Sequence, residues 1–503
     1  MLFDTISQGF GLFASPLVFL LIFAGIIFGL LVGAMPGLGP LMGMVLILPV
    51  AINLEPITAM ALLLGIYVGG SCGGSISAIL LRIPGTPLAA ATLFDGYPMA
   101  QKGRAGDAIG LAISSSAVGG IIGGIVLITL SPILAVFARS FSPPEFTMLA
   151  ITGLIAIASV SDESFQKGLL AGCFGLLLAT IGTDQISFGN RFTFDSYHML
   201  NGFHLVSIVV GLFAISEMVF QFAGSGLTNR PKIDIVRAHF GSLKLALMHW
   251  KNLIRSSFIG TFFGILPGAG GVISSFVAYA AAKSAAKPDE NYGEGAEGGV
   301  VATESANNAT VGGALVPSLA LGIPGDAAAA LLIATLLIFG FFPGPTLFEK
   351  QPDLVGAIFL VYLTSNVALL ICGILLTPVF VFVLRVRKSK LIPVILLLCV
   401  VGTFALQSSI FDLWVMLGFG IVGIVLRIAK FPLSPVVIGV ILGPLLENNL
   451  RRSLLISREG YWIFIDRPIS ATLLVVNVLL IGWVIWSTIR KRKTAKSTST
   501  APL

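Results

Sequence analysis

The sequence predicts an all-α polytopic membrane protein built from two homologous halves, and three observations support this prediction. Only 11% of the 503 residues are charged and 56% are hydrophobic, whereas about a quarter of the residues in a soluble domain are charged. The apolar runs have lengths near the ~20 residues that a bilayer crossing needs. One proline–glycine pattern also occurs twice, in matched order. A membrane β-barrel would instead show alternating segments of ~10 residues, so a helical bundle is predicted.

The chain contains about 11 to 13 hydrophobic segments, many of them interrupted by glycine or proline. Backbone breaks at membrane depth are tolerated only where they face protein or water. The uninterrupted segments are 17–34, 108–138, 204–223, 355–384, 391–406 and 470–489. The shorter or broken ones lie around 41–53, 57–94, 146–160, 168–183, 254–284, 311–342 and 412–446.

The repeated pattern divides the chain into halves. Its first copy, Gly33-Ala34-Met35-Pro36-Gly37-Leu38-Gly39-Pro40, returns as Gly264-Ile265-Leu266-Pro267-Gly268-Ala269-Gly270-Gly271. A second break follows each copy: Leu81-Arg82-Ile83-Pro84-Gly85-Thr86-Pro87, then Leu321-Gly322-Ile323-Pro324-Gly325-Asp326-Ala327. We therefore predict a first repeat half at 1–225, a basic cytoplasmic linker at 226–252, and a second half at 253–503 with a final span and a basic tail. Inverted repeats are favoured.

Charge predicts the topology. The net charge is +7, and lysine and arginine concentrate at 230–255, at 385–390 and in the tail at 490–493. Because basic loops stay in the cytoplasm, these three segments and the C-terminus are expected there. The four cysteines lie inside apolar segments without metal-type spacing, so we interpret them as packing residues.

The breaks predict ion chemistry inside the membrane. A helix that starts there presents free N–H groups that favour an anion such as a carboxylate, and a helix that stops there leaves carbonyls free for Na⁺. Paired broken helices in two repeats are expected at the midplane site of a secondary transporter. The candidate substrate-binding residues are Pro36, Gly37, Gly39, Arg82, Pro84, Gly85, Thr86, Gly268, Gly270, Pro324, Gly325 and Asp326.

Arg82 and Asp326 are the charged residues at these breaks, and their roles stay open. Arg82 has three possible roles: a bidentate ligand of a substrate carboxylate, a partner of Asp326 until substrate arrives, or a side chain that extends to the aqueous edge. Glycines near the breaks have a competing explanation, because small residues also allow close helix packing.

The most polar stretch expected inside the bundle is 302–310. Glu304, Asn307 and Asn308 are spaced i, i+3 and i+4, so they share one helical face. The alternative is a solvated helix start capped by Ser305 or Thr303. We predict no cofactor, no metal beyond Na⁺, and a coupling Na⁺ or H⁺ held by a set of polar residues: Ser274, Ser275, Glu304, Asn307, Asn308 and Thr310.

Other function classes have weaker support. The sequence has no Walker-type phosphate loop, zinc-protease helix or Gly-x-Ser-x-Gly elbow, so ATP-driven pumping by this chain is unsupported. An intramembrane enzyme would use Glu304 and His204 as acid–base groups, but the histidines lie outside the duplicated breaks. A channel would not need so many interruptions. Glu217, near the end of a span, is either a proton site or a hydrogen-bonding group at the aqueous edge.

Several motifs together resemble the large membrane subunit of tripartite tricarboxylate transporters, the TctA family. Besides the first Pro-Gly break at 33–40 and the two Ile-Pro-Gly breaks at 82–87 and 322–325, they are Phe94-Asp95-Gly96-Tyr97-Pro98-Met99-Ala100, Glu304-Ser305-Ala306-Asn307-Asn308, Gln351-Pro352-Asp353-Leu354-Val355 and Gly443-Pro444-Leu445-Leu446-Glu447-Asn448-Asn449-Leu450-Arg451-Arg452.

This resemblance implies a multi-pass permease of the bacterial inner membrane that imports citrate or another carboxylate on an ion gradient. Its implied partners are a small four-span membrane subunit similar to TctB, a periplasmic solute-binding protein similar to TctC, and the surrounding lipid, with no nucleic acid. Arg82 and Asp326 depart from the residues common in the family, which leaves the substrate open. The alternative function is the membrane subunit of a different ion-coupled uptake system.

Overall fold

The structure is a computed structural model, and it describes residues 2–35, 37–159, 165–184, 186–224, 236–266, 270–287, 290–384, 388–457 and 460–482. These residues form an all-α polytopic membrane fold, as predicted. Beside the helices, the described residues contain one small antiparallel hairpin, with β1 at Gly182–Thr183 and β2 at Asn190–Arg191.

The α-helices, in chain order, are α1 (Leu2–Phe13), α2 (Pro16–Ala34), α3 (Gly39–Ala51), α4 (Pro56–Leu81), α5 (Leu93–Gln101), α6 (Ala105–Ala138), α7 (Pro143–Ser159), α8 (Phe165–Ala179), α9 (Leu205–Val209), α10 (Ser216–Gly224), α11 (Gly241–Met248), α12 (Trp250–Ile265), α13 (Gly270–Ser284), α14 (Glu297–Leu321), α15 (Ala327–Ile338), α16 (Pro345–Lys350), α17 (Pro352–Leu375), α18 (Thr377–Val383), α19 (Lys388–Gln407), α20 (Ile410–Ile428), α21 (Ser434–Ile456), α22 (Ile463–Asp466) and α23 (Pro468–Gly482). A π-helical segment, Val210–Ile215, joins α9 to α10.

Six spans among the described residues are long and apolar enough to cross a membrane: α2, α4, α6, the α9–α10 segment, α17 and α20. The pair formed by Gly460–Asp466 and α23 would make a seventh, with a bend of 92°. Shorter apolar helices lie at Gly39–Ala51, Phe165–Ala179, Ala327–Ile338 and Ile395–Phe404. Two of these, Gly39–Ala51 and Ala327–Ile338, follow predicted breaks, because proline and glycine end the preceding helices there.

The chain separates into two compact units. The first contains Met1–Arg139 and His204–Val425, and the second contains Ser140–Phe203 and Leu426–Leu503. This division follows compactness, whereas the predicted halves follow sequence similarity. The halves therefore stay a prediction.

Both copies of the first break interrupt the chain at equivalent places. Helix α2 ends at Ala34 and α3 begins at Gly39, while α12 ends at Ile265 and α13 begins at Gly270. The helices that precede the second breaks also end alike. Arg82 follows α4 with φ 56° and Gly322 follows α14 with φ 71°, both in the left-handed conformation that ends helices.

Glycines bring α2 and α4 into backbone contact. A Cβ on Gly29 would lie 2.6 Å from the carbonyl oxygen of Ile66, and one on Gly33 would lie 2.3 Å from that of Gly70. Real Cβ atoms cannot come so close, so only glycine permits this crossing.

Helices α12 and α14 cross in the same way. A Cβ on Gly260 would lie 2.2 Å from the carbonyl oxygen of Ala306, and one on Gly264 would lie 2.4 Å from that of Thr310. Gly264 is the sequence counterpart of Gly33, and Thr310 precedes its Ile-Pro-Gly break by the same number of residues as Gly70 does. The two crossings therefore share one register, as a structural repeat predicts.

The two central helices, α4 and α14, run antiparallel where they touch. Asn307 Nδ2 donates to the Ser71 carbonyl at 3.0 Å, and Asn308 Nδ2 donates to the Val68 carbonyl at 3.4 Å, so residue numbers rise along α14 as they fall along α4. Counted back from the second breaks, Val68 and Asn308 are equivalent positions. A pseudo-two-fold axis relating the halves would therefore pass beside this contact.

Candidate functional site

The polar stretch of the second half lies on α14, and α14 is buried along its whole length after Glu297. Glu304, Asn307 and Asn308 each have 0% of their surface exposed. The predicted helical face is therefore turned into the bundle, and the alternative of a solvated helix start is wrong for these residues. Buried ionisable and amide groups inside a membrane protein mark functional sites by default.

Glu304 is surrounded by neutral hydrogen-bond donors. Its Oε1 accepts from the Thr92 hydroxyl, and its Oε2 accepts from Ser116 Oγ at 2.9 Å and from Asn307 Nδ2 at 3.4 Å. Thr92 Oγ1 also lies 3.1 Å from Thr303 Oγ1. None of these partners is basic, so the described contacts leave a carboxylate at this position without a balancing positive charge.

Asn307 and Asn308 use only one end of their amides. Their Nδ2 atoms donate to α4 carbonyls, whereas both Oδ1 atoms are buried and accept no hydrogen bond within the described residues. An unpaired buried acceptor costs about 1–3 kcal/mol, so each of these oxygens is suited to a positively polarised ligand.

The three hydroxyls predicted to join them make contacts of their own. Ser274 Oγ donates to the Gly271 carbonyl at 2.8 Å and lies 2.9 Å from Thr310 Oγ1. Thr310 Oγ1 lies 2.8 Å from the Ala306 carbonyl, and Ser275 Oγ donates to Gly271 at 3.2 Å. The structure therefore places these hydroxyls on backbone carbonyls beside α14 and leaves the Asn307 and Asn308 oxygens as the free acceptors.

The two breaks of the first half meet each other. Gly37 N donates to the Gly85 carbonyl at 3.2 Å, and Gly85 N donates to the Gly74 carbonyl at 3.1 Å. Thr86 is 2% exposed, and its hydroxyl has no hydrogen-bond partner among the described residues. Its methyl carbon would lie 3.6 Å from a Cβ on Gly39, the first residue of α3.

Glu217 is a further carboxylate beside this junction. Its Oε1 accepts from Gln221 Nε2 at 2.8 Å and would lie 3.1 Å from a Cβ on Gly37. The π-helical segment Val210–Ile215 ends two residues before it, and such segments are frequent at functional sites. Its role as a proton site stays a prediction.

The second-half break has a different partner. Pro324 lies between α14 and α15, and Gly325 N lies 3.4 Å from Ser318 Oγ. Asp326 caps α15 by accepting from Ala329 N at 2.8 Å, and its other oxygen accepts from the buried Tyr67 hydroxyl of α4. Its carboxylate thus already occupies the start of α15.

Arg82 and Asp326 do not pair. Arg82 is exposed, and its guanidinium carbon lies 5.5 Å from the centre of the Tyr97 ring. Asp326 contacts Tyr67 and Ala329 instead, so the Arg82–Asp326 pair, one of the three interpretations, is absent from the described part of the chain. The arrangement favours the interpretation in which Arg82 extends to the aqueous edge. Three further candidates, Pro36, Pro267 and Gly268, lie outside the described residues, while Pro84 lies in the non-helical segment after α4 and Gly270 begins α13.

Sequence reasoning missed the residues that hold Glu304 and Asp326. Thr92, Ser116 and Tyr67 come from three different helices or turns of the first half, and no spacing rule connects them to α14. Tyr67 has one usable signal, because it occupies in α4 the position that Asn307 occupies in α14.

Asp95 holds the loop that precedes α14 in place through hydrogen bonds. It is fully buried, and its Oδ1 accepts from the backbone N–H groups of Gly293, Gly295 and Ala296 at 2.8–2.9 Å. Thr92 lies three residues before it, so one short segment holds both Glu304 and the loop that starts α14.

Comparison with known proteins identifies the family. The model of the tripartite tricarboxylate transporter TctA family matches residues 19–438. The chain belongs to the TctA family. It is 34% identical over 496 residues, 98% of either chain, to an uncharacterized 52.8 kDa protein in the TAR-I ttuC' 3' region of Agrobacterium vitis. It is also 34% identical over 235 residues to an uncharacterized protein in the TAR-II ttuC' 3' region of the same organism, covering 46% of this chain and 97% of that one. No solved structure matches it.

The family confirms the transporter class predicted from the sequence. TctA proteins are subunits of tripartite transporters, so this chain is a membrane transporter subunit of that class. The buried polar face of α14 and the paired helix breaks are the features of this TctA protein that suit ion and anion binding.

Proposed function

We propose that this TctA protein is the large permease subunit of a binding-protein-dependent secondary transporter. It imports citrate or another carboxylate across the bacterial inner membrane, driven by a Na⁺ or H⁺ gradient. Its partners are a small four-span subunit similar to TctB and a periplasmic solute-binding protein similar to TctC, and its C-terminus is cytoplasmic. Family membership supports the class, and the geometry supports the mechanism.

The observation that carries the proposal is the crossing of α4 and α14. Both helices end at an Ile-Pro-Gly break, both pack against a helix that stops at a Pro-Gly turn, and α14 turns a carboxylate and two amides toward α4. Broken helices of two repeats that meet at a polar centre suit alternating access around a midplane site. The segments 1–225 and 253–503 would be the two repeats, joined by 226–252.

Reconstitution tests this proposal. The chain, its small subunit and its binding protein are placed in liposomes, and uptake of radiolabelled citrate and other carboxylates is measured with imposed Na⁺ or pH gradients. Uptake that needs the binding protein and a gradient, and that stops with an ionophore, is expected. Uptake driven by ATP alone, or passive flux without saturation, would contradict it.

A different ion-coupled uptake system is the second candidate, favoured by the Asp326 carboxylate at the start of α15. An ionised carboxylate at this position would repel an anionic substrate but not a neutral or cationic one. Uptake of non-carboxylate solutes in the same liposomes, with no carboxylate uptake, would favour it.

A further inference from the structure

We infer that the crossing of α4 and α14 forms a Na⁺ site. Its ligands include the side-chain oxygens of Asn307 and Asn308, and the Glu304 carboxylate supplies the negative charge. This inference rests on the proposed function, and it names the coupling ion and the groups that bind it.

The side-chain amides of Asn307 and Asn308 are each held in one orientation. An amide has a donor end and an acceptor end, and both donor ends are taken by carbonyls one turn apart on α4, those of Ser71 and Val68. The acceptor ends are thereby fixed in the remaining direction, fully buried and without a donor in the described residues. Asn307 and Asn308 are neighbours in the chain and their donor ends contact one turn of α4, so both oxygens lie beside that turn.

Charge selects the ion. Glu304 lies one turn before the two amides, and Asn307 Nδ2 is 3.4 Å from its Oε2. Its described hydrogen-bond partners are neutral. One carboxylate balances one positive charge, whereas Ca²⁺ sites use several carboxylates. Hard oxygen ligands with a single negative charge therefore suit Na⁺.

The position of the site would let a bound ion link the two halves. Asn308 touches Val68, its equivalent in the other half, so the site lies beside the pseudo-two-fold axis that would relate the halves. Thr92 extends the site to the segment after the first Ile-Pro-Gly break, because its hydroxyl donates to Glu304. An ion bound here would contact groups positioned by both halves.

Thermal unfolding of the purified full-length protein tests the site. Tm is measured in detergent as NaCl replaces choline chloride at constant ionic strength. Binding to the folded state alone raises Tm with ligand concentration, so we expect a saturable Na⁺-specific rise of a few degrees. The variants Asn308→Ala and Glu304→Gln should need at least about tenfold more Na⁺ for half of this rise, equivalent to about 1.4 kcal/mol.

Asn366→Ala is the matched control. Asn366 on α17 is equally buried, donates through Nδ2 to the Tyr362 carbonyl at 2.9 Å, and also has an unpaired Oδ1. A Cβ on Gly120 would lie 1.8 Å from that oxygen, so the oxygen packs against the glycine backbone of α6. This variant should lower Tm but keep the Na⁺ midpoint.

Three results would overturn the site: an equal rise with K⁺ or choline, an Asn308→Ala midpoint equal to that of the wild type, or a Tm that follows pH alone. If Asn308→Ala does not fold, Asn307→Ala and Asn308→Ser answer the same question, the serine keeping an oxygen. The test separates two failures. Carboxylate uptake by a protein that does not bind Na⁺ would disprove only the Na⁺ site. Na⁺ binding by a protein that takes up no carboxylate would disprove only the proposed substrate.

Discussion

Asn308 and Val68 occupy equivalent positions of two helices that touch, yet only one of them is polar. The same asymmetry separates Glu304 from its α4 counterpart, Leu64. The helix breaks occur in both predicted halves, but the ionisable face occurs in one of them. This difference is readable from the sequence only after the register of α4 and α14 is known.

Substitution of Gly33 tests whether the crossing of α2 and α4 can accommodate one added methyl group. Gly33→Ala would place a Cβ 2.3 Å from the Gly70 carbonyl oxygen. The backbones must separate, so we expect a loss of about 1–3 kcal/mol in stability and a lower Tm in detergent. Gly418→Ala is the control, because nothing lies within 4 Å of a Cβ there and alanine favours the helix. Equal effects of both variants would contradict the prediction.

Arg82 tests the departure from the family pattern. Because its side chain is exposed and lies over the Tyr97 ring, a lysine can make a similar contact. Arg82→Lys should therefore keep near wild-type uptake at limiting substrate. Loss of most uptake, with unchanged expression and Tm, would show that the planar guanidinium binds the substrate carboxylate, as the first sequence interpretation holds.

At the scale of secondary-structure elements, Asp95 of α5 holds the loop before α14 in place. Asp95→Ala would leave three backbone N–H groups without their acceptor, at a cost of about 3 kcal/mol or more. The loop should then open, and a protease that cuts after glutamate should cleave at Glu290 or Glu294 faster than in the wild type. Lys102→Ala removes one exposed contact to the Glu294 carbonyl, so its digestion should stay near wild-type rate.

In the second unit, the hairpin of β1 and β2 is tied to α21 by ion pairs. Arg451 Nη1 donates to both carboxylate oxygens of Asp184 at 2.7 Å, and Arg191 pairs with Glu447 at 2.6 Å. Arg451, which lies inside α21, therefore has its charge neutralised locally.

This pairing makes a pH prediction. The Arg451 guanidinium holds the pKa of the Asp184 carboxyl below its ordinary value of 3.8. The folded state therefore binds fewer protons than the unfolded state, so the stabilisation is complete above about pH 4 and is lost as the pH falls through the folded pKa. The Tm difference between wild type and Asp184→Asn should persist from pH 7 to 5 and shrink below pH 4. A difference independent of pH would contradict it.

At the scale of the whole molecule, the sequence predicts the helical class and the four breaks because composition and proline–glycine chemistry are local. It also predicts the buried face of α14, since i, i+3 and i+4 spacing is a property of one helix. The partners of Asp326 and Glu304 were not predictable in this way. Tyr67 and Thr92 reach them from more than 200 residues away, and only the antiparallel register brings them together.

The length of α6 and an ion pair at its end bear on the predicted inverted arrangement of the two halves. Lys102 follows the first pair of breaks and directly precedes α6, a helix of 34 residues. Arg139 follows the end of α6 and pairs with Glu349 at 2.8 Å, and Glu349 follows the second pair of breaks. A straight helix of that length spans about 50 Å, more than the whole bilayer. The segments that follow the second break of each predicted half therefore lie at opposite ends of one helix.

Cysteine labelling from each side of the membrane checks this arrangement. Lys102→Cys and Glu349→Cys, each in a background without the four native cysteines, are treated in intact cells with a thiol reagent that does not cross the membrane, then again after the membrane is opened. Both positions are exposed, so both should react, but only one of them from outside. Reaction of both from the same side would mean that α6 does not cross the bilayer as one span, and parallel repeats would then replace inverted ones.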